Sequence, residues 1–194
     1  MSLSTKDNNL YKFLLWAVMT IPGIYIFVQY KAGDITYGQT IIQSGDWSVG
    51  LLILTLAVTP VRKVLPTAKI SSWLMKHRRA FGVASFGYAA LHTFVYLERK
   101  WGFGYIQEEA QNLDLLTGWI AFVIFVILAI TSNNPSVRAL RKNWQHLHRT
   151  VYIATGLTFA HWVLTSIEPR TAYICLGVLC LIEGLRFIKW KRAS

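Results

Sequence analysis

The sequence has little negative charge, little cysteine and little charge of any kind. Nine acidic residues stand against twenty basic ones, and charged side chains make up 15% of the 194 residues while 54% are hydrophobic. So few charges, with a positive mean hydropathy, exclude an ordinary soluble domain and fit a chain that crosses a membrane several times. The two cysteines, Cys175 and Cys180, lie inside an apolar run. They are too few for a disulfide framework and lack metal-ligand spacing, so they read as packing residues. No small-residue cleavage site follows a short apolar core at the N-terminus, so no removable signal peptide is expected. Low-complexity tracts and internal repeats are missing as well.

What is present is apolar runs. A helix needs about 20 mostly apolar residues to cross ~30 Å of hydrocarbon. Six runs qualify as candidates: Leu10–Tyr30, Trp47–Val61, Ala80–Leu97, Leu115–Thr131, Thr150–Ile167 and Thr171–Ile188. The second is short, ending at Pro60 and Arg62, and can be lengthened by recruiting Ile41 and Ile42. The expected architecture is a single all-α domain over residues 1–194, a bundle of six transmembrane helices.

A net charge of +11 could suggest a nucleic-acid partner, but the distribution of the bases argues against it. With the N-terminus on the cytosolic side, 16 of the 20 bases fall on that side: Lys6, Lys12, Arg62, Lys63, Lys69, Lys76, Arg78, Arg79, Arg138, Arg141, Lys142, Arg149, Arg186, Lys189, Lys191 and Arg192. The opposite side holds four bases and seven of the nine acids. This is the positive-inside pattern, and it places both termini in the cytosol. The outer loops are those around Gly33, Gly104 and Pro169. Trp47, Trp101, Trp144 and Trp190 lie near span ends and read as interfacial anchors. Glu183 and Arg186, three apart, read as a local ion pair.

The histidines are the unusual feature. His92 lies in the third span and His161 in the fifth, where an ionisable side chain is costly and usually functional. Counting from the outer span ends at 1.5 Å per residue puts both roughly 8 Å inside the same boundary. Two imidazoles at equal depth on two helices suit ligation of a haem iron from both faces. Toward the cytosolic side, His148 lies 13 residues before His161, while Arg79 lies 13 before His92. His77 and His146 lie close by. On a straight helix His148 and His161 differ by about 140° and His146 and His161 by only ~60°. Spacing alone therefore favours His146. His148 requires ligands on different flanks or local unwinding of the helix.

Four stretches in order carry a family resemblance: "LAVTPVRK" (56–63), "HRRAFGVASFGYAALH" (77–92), "LAITS" (128–132), and "NWQHLHRTVY" with "AHW" (143–162). In them the chain resembles the MsrQ family, formerly YedZ. These are haem-binding membrane subunits of the bacterial periplasmic methionine sulfoxide reductase system, within the ferric-reductase-like transmembrane superfamily. The resemblance implies a bacterial inner-membrane protein with b-type haem between spans three and five, one haem or two. It also implies binding of flavin mononucleotide (FMN). Electrons would pass from the quinone pool or a cytosolic flavin reductase to a periplasmic molybdopterin partner, MsrP. Carried over by position, the axial ligands fall on His92, His161 and His148, which sets aside His146. His148 then serves a second haem, a flavin or a quinone. Arg78, Arg79 and Arg149 are candidates for an anionic cofactor edge, since guanidinium groups bind phosphate and carboxylate in bidentate fashion. The sulfoxide chemistry itself is expected on the partner: no cysteine nucleophile, molybdopterin site or appended FAD/NAD(P)H domain is visible in the sequence. The rival readings are a ferric or cupric reductase with a metal-ion acceptor and a proton-relaying transporter.

Overall fold

A computed structural model of the protein describes residues 5–100 and 112–187. Trp101, Trp190, Gly104, Lys189, Lys191, Arg192 and the last residue expected in the sixth span, Ile188, lie outside the described residues, as does the side chain of Lys6. Among the described residues all regular structure is helical. The order is α1 (Thr5–Ala32), α2 (Tyr37–Val64), α3 (Lys69–Arg99), α4 (Leu113–Ile130), α5 (Asn134–Leu140), α6 (Lys142–Arg149), α7 (Val151–Thr165) and α8 (Arg170–Gly184).

Four of these, α1 to α4, are long and apolar enough to cross a membrane. Helices α7 and α8 coincide with the fifth and sixth expected spans, but each runs for 15 residues, short of the about 20 that a perpendicular crossing takes. The second span is longer than its apolar run suggests, because α2 extends from Tyr37 through the polar stretch before Trp47. A reciprocal capping box starts it: Gln39 N donates to Thr36 Oγ1 at 3.2 Å, and Thr36 N donates to Gln39 Oε1 at 2.8 Å. The buried hydroxyls of Thr40 and Ser44 then donate to carbonyls one turn back, so they need no water. Gly33, at φ +82°, closes the turn after α1.

Helix α2 is the centre of the molecule. One side packs with α1 and α3 through Leu51, Val58, Phe81, Ala84 and Tyr88. The other packs with α4, α7 and α8 through Leu52, Leu56, Phe125, Phe159 and Leu179. Small residues bring α2 and α3 together: Ser48 Oγ donates to the Ser85 carbonyl at 3.0 Å and Ser85 Oγ to the Ser48 carbonyl at 2.8 Å. Such interhelical bonds contribute about 0.6 kcal/mol each inside a membrane.

Pro60 shapes the opposite end of α2. It has no N–H, so the helical bond to the Leu56 carbonyl cannot form. Arg186, just after α8, supplies the missing donor: its Nη2 donates to the Leu56 carbonyl at 3.3 Å. Arg78 Nε donates to the neighbouring Thr55 carbonyl at 3.2 Å. The expected Glu183–Arg186 pair is present, with Arg186 Nε 2.7 Å from Glu183 Oε2, a charge contact without hydrogen-bond alignment. Arg186 Nη1 also donates to the Tyr152 hydroxyl, and Lys63 Nζ donates to the Arg186 carbonyl at 2.8 Å. One arginine thus ties α2, α7 and α8 together where the proline opens the backbone.

Candidate functional site

The polar side chains gather at two ends of the bundle. At one end meet the start of α2, the end of α3, the start of α4 and the end of α7. There His92 and His161 face each other, their ring centroids 6.4 Å apart and their planes at 82°. Each ring is tied to backbone through Nδ1. His92 Nδ1 lies 3.0 Å from the Ile41 carbonyl, with Ser44 Oγ at 3.5 Å. His161 Nδ1 lies 2.7 Å from the Asp114 carbonyl. A carbonyl accepts only, so both Nδ1 atoms carry the proton and both Nε2 atoms keep a lone pair. That arrangement fixes the tautomer of a metal-binding histidine.

Close packing against glycine sets the His161 ring position. A Cβ at Gly118 would lie 2.8 Å from His161 Nδ1 and 2.9 Å from Cε1, and one at Gly45 would lie 3.5 Å from His92 Nδ1. The rings border a cavity of about 280 Å³ whose other walls are largely apolar or aromatic, including Tyr96, Trp119, Phe122 and Trp162. Two metal–imidazole bonds of about 2 Å each, plus about 1 Å from each ring centre to its nitrogen, bring two centroids roughly 6 Å apart. The observed centroid spacing of 6.4 Å matches that of two rings sharing one metal ion. No cluster of three or more His, Cys, Asp or Glu ligands exists among the described residues. A metal at this pair must therefore take its other ligands from elsewhere, as from the four nitrogens of a macrocycle, and the apolar cavity suits one.

The other end carries the bases. His148 sits in the last turn of α6, with Nε2 3.1 Å from Thr131 Oγ1. Trp144 stacks on it at 3.9 Å and 23°, while Trp144 Nε1 donates to the Thr131 carbonyl at 2.9 Å. Arg79 lies 6.0 Å from the Trp144 ring and donates to Asn134 Oδ1 at 2.9 Å. Burial holds the His148 imidazole below its ordinary pKa; contact with Thr131 opposes this, and the Arg79 and Arg78 charges reinforce it. His148 is accordingly neutral and able to bind a metal or accept a proton.

The sequence-derived set thus divides. His92 and His161 come together. His148, Arg79 and Arg78 gather at the opposite end, with Arg78 committed to the α2 backbone. Arg149 and His146 lie exposed on α6, and His77 turns Nδ1 to the Trp73 carbonyl at 2.9 Å. His148 and His161 lie on different helices, since α6 ends and α7 begins at Thr150. There Thr150 N bonds to the Leu147 carbonyl at 3.0 Å in a tightened turn, so no straight helix joins His148 to His161. Sequence reasoning missed Gly45, Gly118, Thr131 and the role of Trp144, which does more than anchor a span end. An isolated glycine within an apolar helical run was the available signal for Gly118.

Residues 44–159, which include His92 and end two residues before His161, match the model of the ferric reductase like transmembrane component family. The protein-methionine-sulfoxide reductase heme-binding subunit MsrQ of Brucella anthropi is 33% identical over 187 residues, covering 91% of this chain and 81% of that protein. The MsrQ subunit of Xanthomonas campestris pv. campestris is 34% identical over 156 residues, 78% and 69% of the two chains. That of Herminiimonas arsenicoxydans is 37% identical over 153 residues, 76% and 68%.

Proposed function

Because this chain belongs to the ferric-reductase-like transmembrane family, and within it to the MsrQ haem-binding subunits, we propose that it is the haem-carrying electron-transfer subunit of a methionine sulfoxide reductase system. The observation that supports this most directly is the pair His92 and His161, with ring centroids 6.4 Å apart and both Nδ1 atoms held by backbone carbonyls.

A b-type haem bound there would supply a one-electron couple. The chain's own residues do the rest. The Ile41 and Asp114 carbonyls hold each imidazole in the tautomer that presents Nε2 to iron. Gly118 lets the His161 ring sit against helix backbone, and the aromatic walls exclude water. At the basic end, His148 and Arg79, joined through Trp144, form the entry point for electrons from quinol or from a flavin such as FMN delivered by a cytosolic reductase. A second haem at His148 is the variant of this reading in which that histidine binds iron.

The full arrangement is six spans with both termini cytosolic in a bacterial inner membrane, α7 and α8 crossing as the short fifth and sixth. The His92–His161 end then faces the periplasm, where MsrP takes the electrons. The rival acceptor is a ferric or cupric ion. The test is reoxidation of the reduced protein in sealed vesicles, followed by haem absorbance. Addition of MsrP with methionine sulfoxide to the outer face is expected to restore the oxidised spectrum repeatedly. If MsrP has no effect while ferric or cupric citrate reoxidises the haem, the metal-reductase reading is the correct one.

A further inference from the structure

We infer that the cavity between α1 and α3 at the basic end binds the phosphate of an anionic phospholipid. This cavity of about 330 Å³ is separate from the histidine cavity, with Lys12, Lys76, His77 and Arg79 on its polar side and Leu15 and Trp16 beside them. No acidic side chain lines it among the described residues. Arg79 is pre-positioned: Asn134 Oδ1 takes one of its N–H groups and the Trp144 face supports the guanidinium. The remaining donors of its fork stay available for phosphate oxygens.

The mixed lining distinguishes a lipid from a soluble anion. Inorganic phosphate or a phosphate monoester needs the cations but gains nothing from Leu15 and Trp16. A phospholipid uses both, with its head on the bases and its chains along the apolar flank of α1. Helix α1 is open to lipid: it is the least enclosed of the four long helices, and Phe13 and Val18 are 69% and 68% exposed. Basic pockets between spanning helices near a headgroup region bind anionic lipids on this principle.

The test uses the full chain, purified with its haem and placed in nanodiscs of phosphatidylcholine with a small fraction of phosphatidylglycerol. Retained lipid is counted by native mass spectrometry after transfer to detergent. Wild type is expected to retain phosphatidylglycerol selectively, and Lys12→Gln/Lys76→Gln to lose roughly 30-fold in affinity, as removal of two near-surface charges implies. Haem content and folding of the variant, read from its absorption and circular dichroism, are expected to match wild type. A second arm titrates inorganic phosphate against thermal unfolding of both proteins in lipid-free detergent. If phosphate stabilises wild type but not the variant and no phosphatidylglycerol is retained, the site takes soluble phosphate and the lipid assignment is overturned. Equal phosphatidylglycerol retention by both proteins overturns the site itself.

Discussion

Gly118 and His161 are in backbone-to-ring contact: a Cβ added at Gly118 would stand 2.8 Å from His161 Nδ1, the atom that already meets the Asp114 carbonyl at 2.7 Å. The first turns of α4 therefore hold the imidazole by a hydrogen bond and by shape together. Real side chains do not tolerate that separation, so either the ring or the helix has to move.

Gly118→Ala is accordingly expected to lower the haem content of the purified protein severely while leaving its helical circular dichroism intact. Gly45→Ala is the control. Its Cβ would meet His92 Nδ1 at 3.5 Å, an ordinary van der Waals distance, so haem content should stay near wild type. Haem quantified per chain decides, and equal haem in both variants would show that glycine at 118 does not set the His161 position.

At the basic end, His148→Ala should leave the spectrum of the His92–His161 haem in place and allow its reduction by dithionite. Reduction by quinol or by a flavin reductase should slow greatly. Trp144→Phe keeps a ring on His148 but removes the N–H that bonds the Thr131 carbonyl, so an intermediate slowing is expected. Physiological reduction at the wild-type rate in His148→Ala would leave His148 a merely interfacial residue.

The sequence was most legible where chemistry is expensive. Charges avoid hydrocarbon, so the bases marked the ends of the bundle, and imidazole inside an apolar run marked His92 and His161. It was read less well where the determinant is tertiary. The second span looked short because the hydroxyls of Thr40 and Ser44 count as polar in any hydropathy sum; on α2 they are spent on helix carbonyls. The spacing argument for His146 assumed one straight helix through His161, and the break between α6 and α7 at Thr150 has no strong local signature. Arg78 and Arg186 looked like a cofactor ligand and half of a local ion pair. The Arg186 contact follows from Pro60, a residue distant in sequence that frees the Leu56 carbonyl, and Arg78 is spent on the Thr55 carbonyl beside it.

That proline predicts a coupling. Arg186→Ala leaves the Leu56 carbonyl without a donor and Glu183 without its cation, which should lower stability by about 1–3 kcal/mol. Pro60→Ala restores the helical N–H to the same carbonyl. In the Pro60→Ala background the cost of Arg186→Ala should therefore be smaller, as read by thermal unfolding in detergent around a double-mutant cycle. Strictly additive effects would mean that the arginine does not serve that carbonyl.

Orientation is tested by cysteine accessibility in a background with Cys175 and Cys180 replaced by alanine. A cysteine at Asp34, in the turn after α1, should react with an impermeant maleimide added to intact spheroplasts. A cysteine at Thr67, in the turn after α2, should react only after the membrane is opened. The reverse pattern would place the histidine cavity on the cytosolic side.

The most direct measurement is the reduced-minus-oxidised spectrum, with haem quantified per chain, of wild type, His92→Ala and His161→Ala. If the two facing imidazoles hold one iron between them, wild type shows a low-spin b-type signal and each single variant loses it, because either ring alone leaves one axial position empty. Full haem content with an unchanged low-spin spectrum in both variants would contradict the assignment.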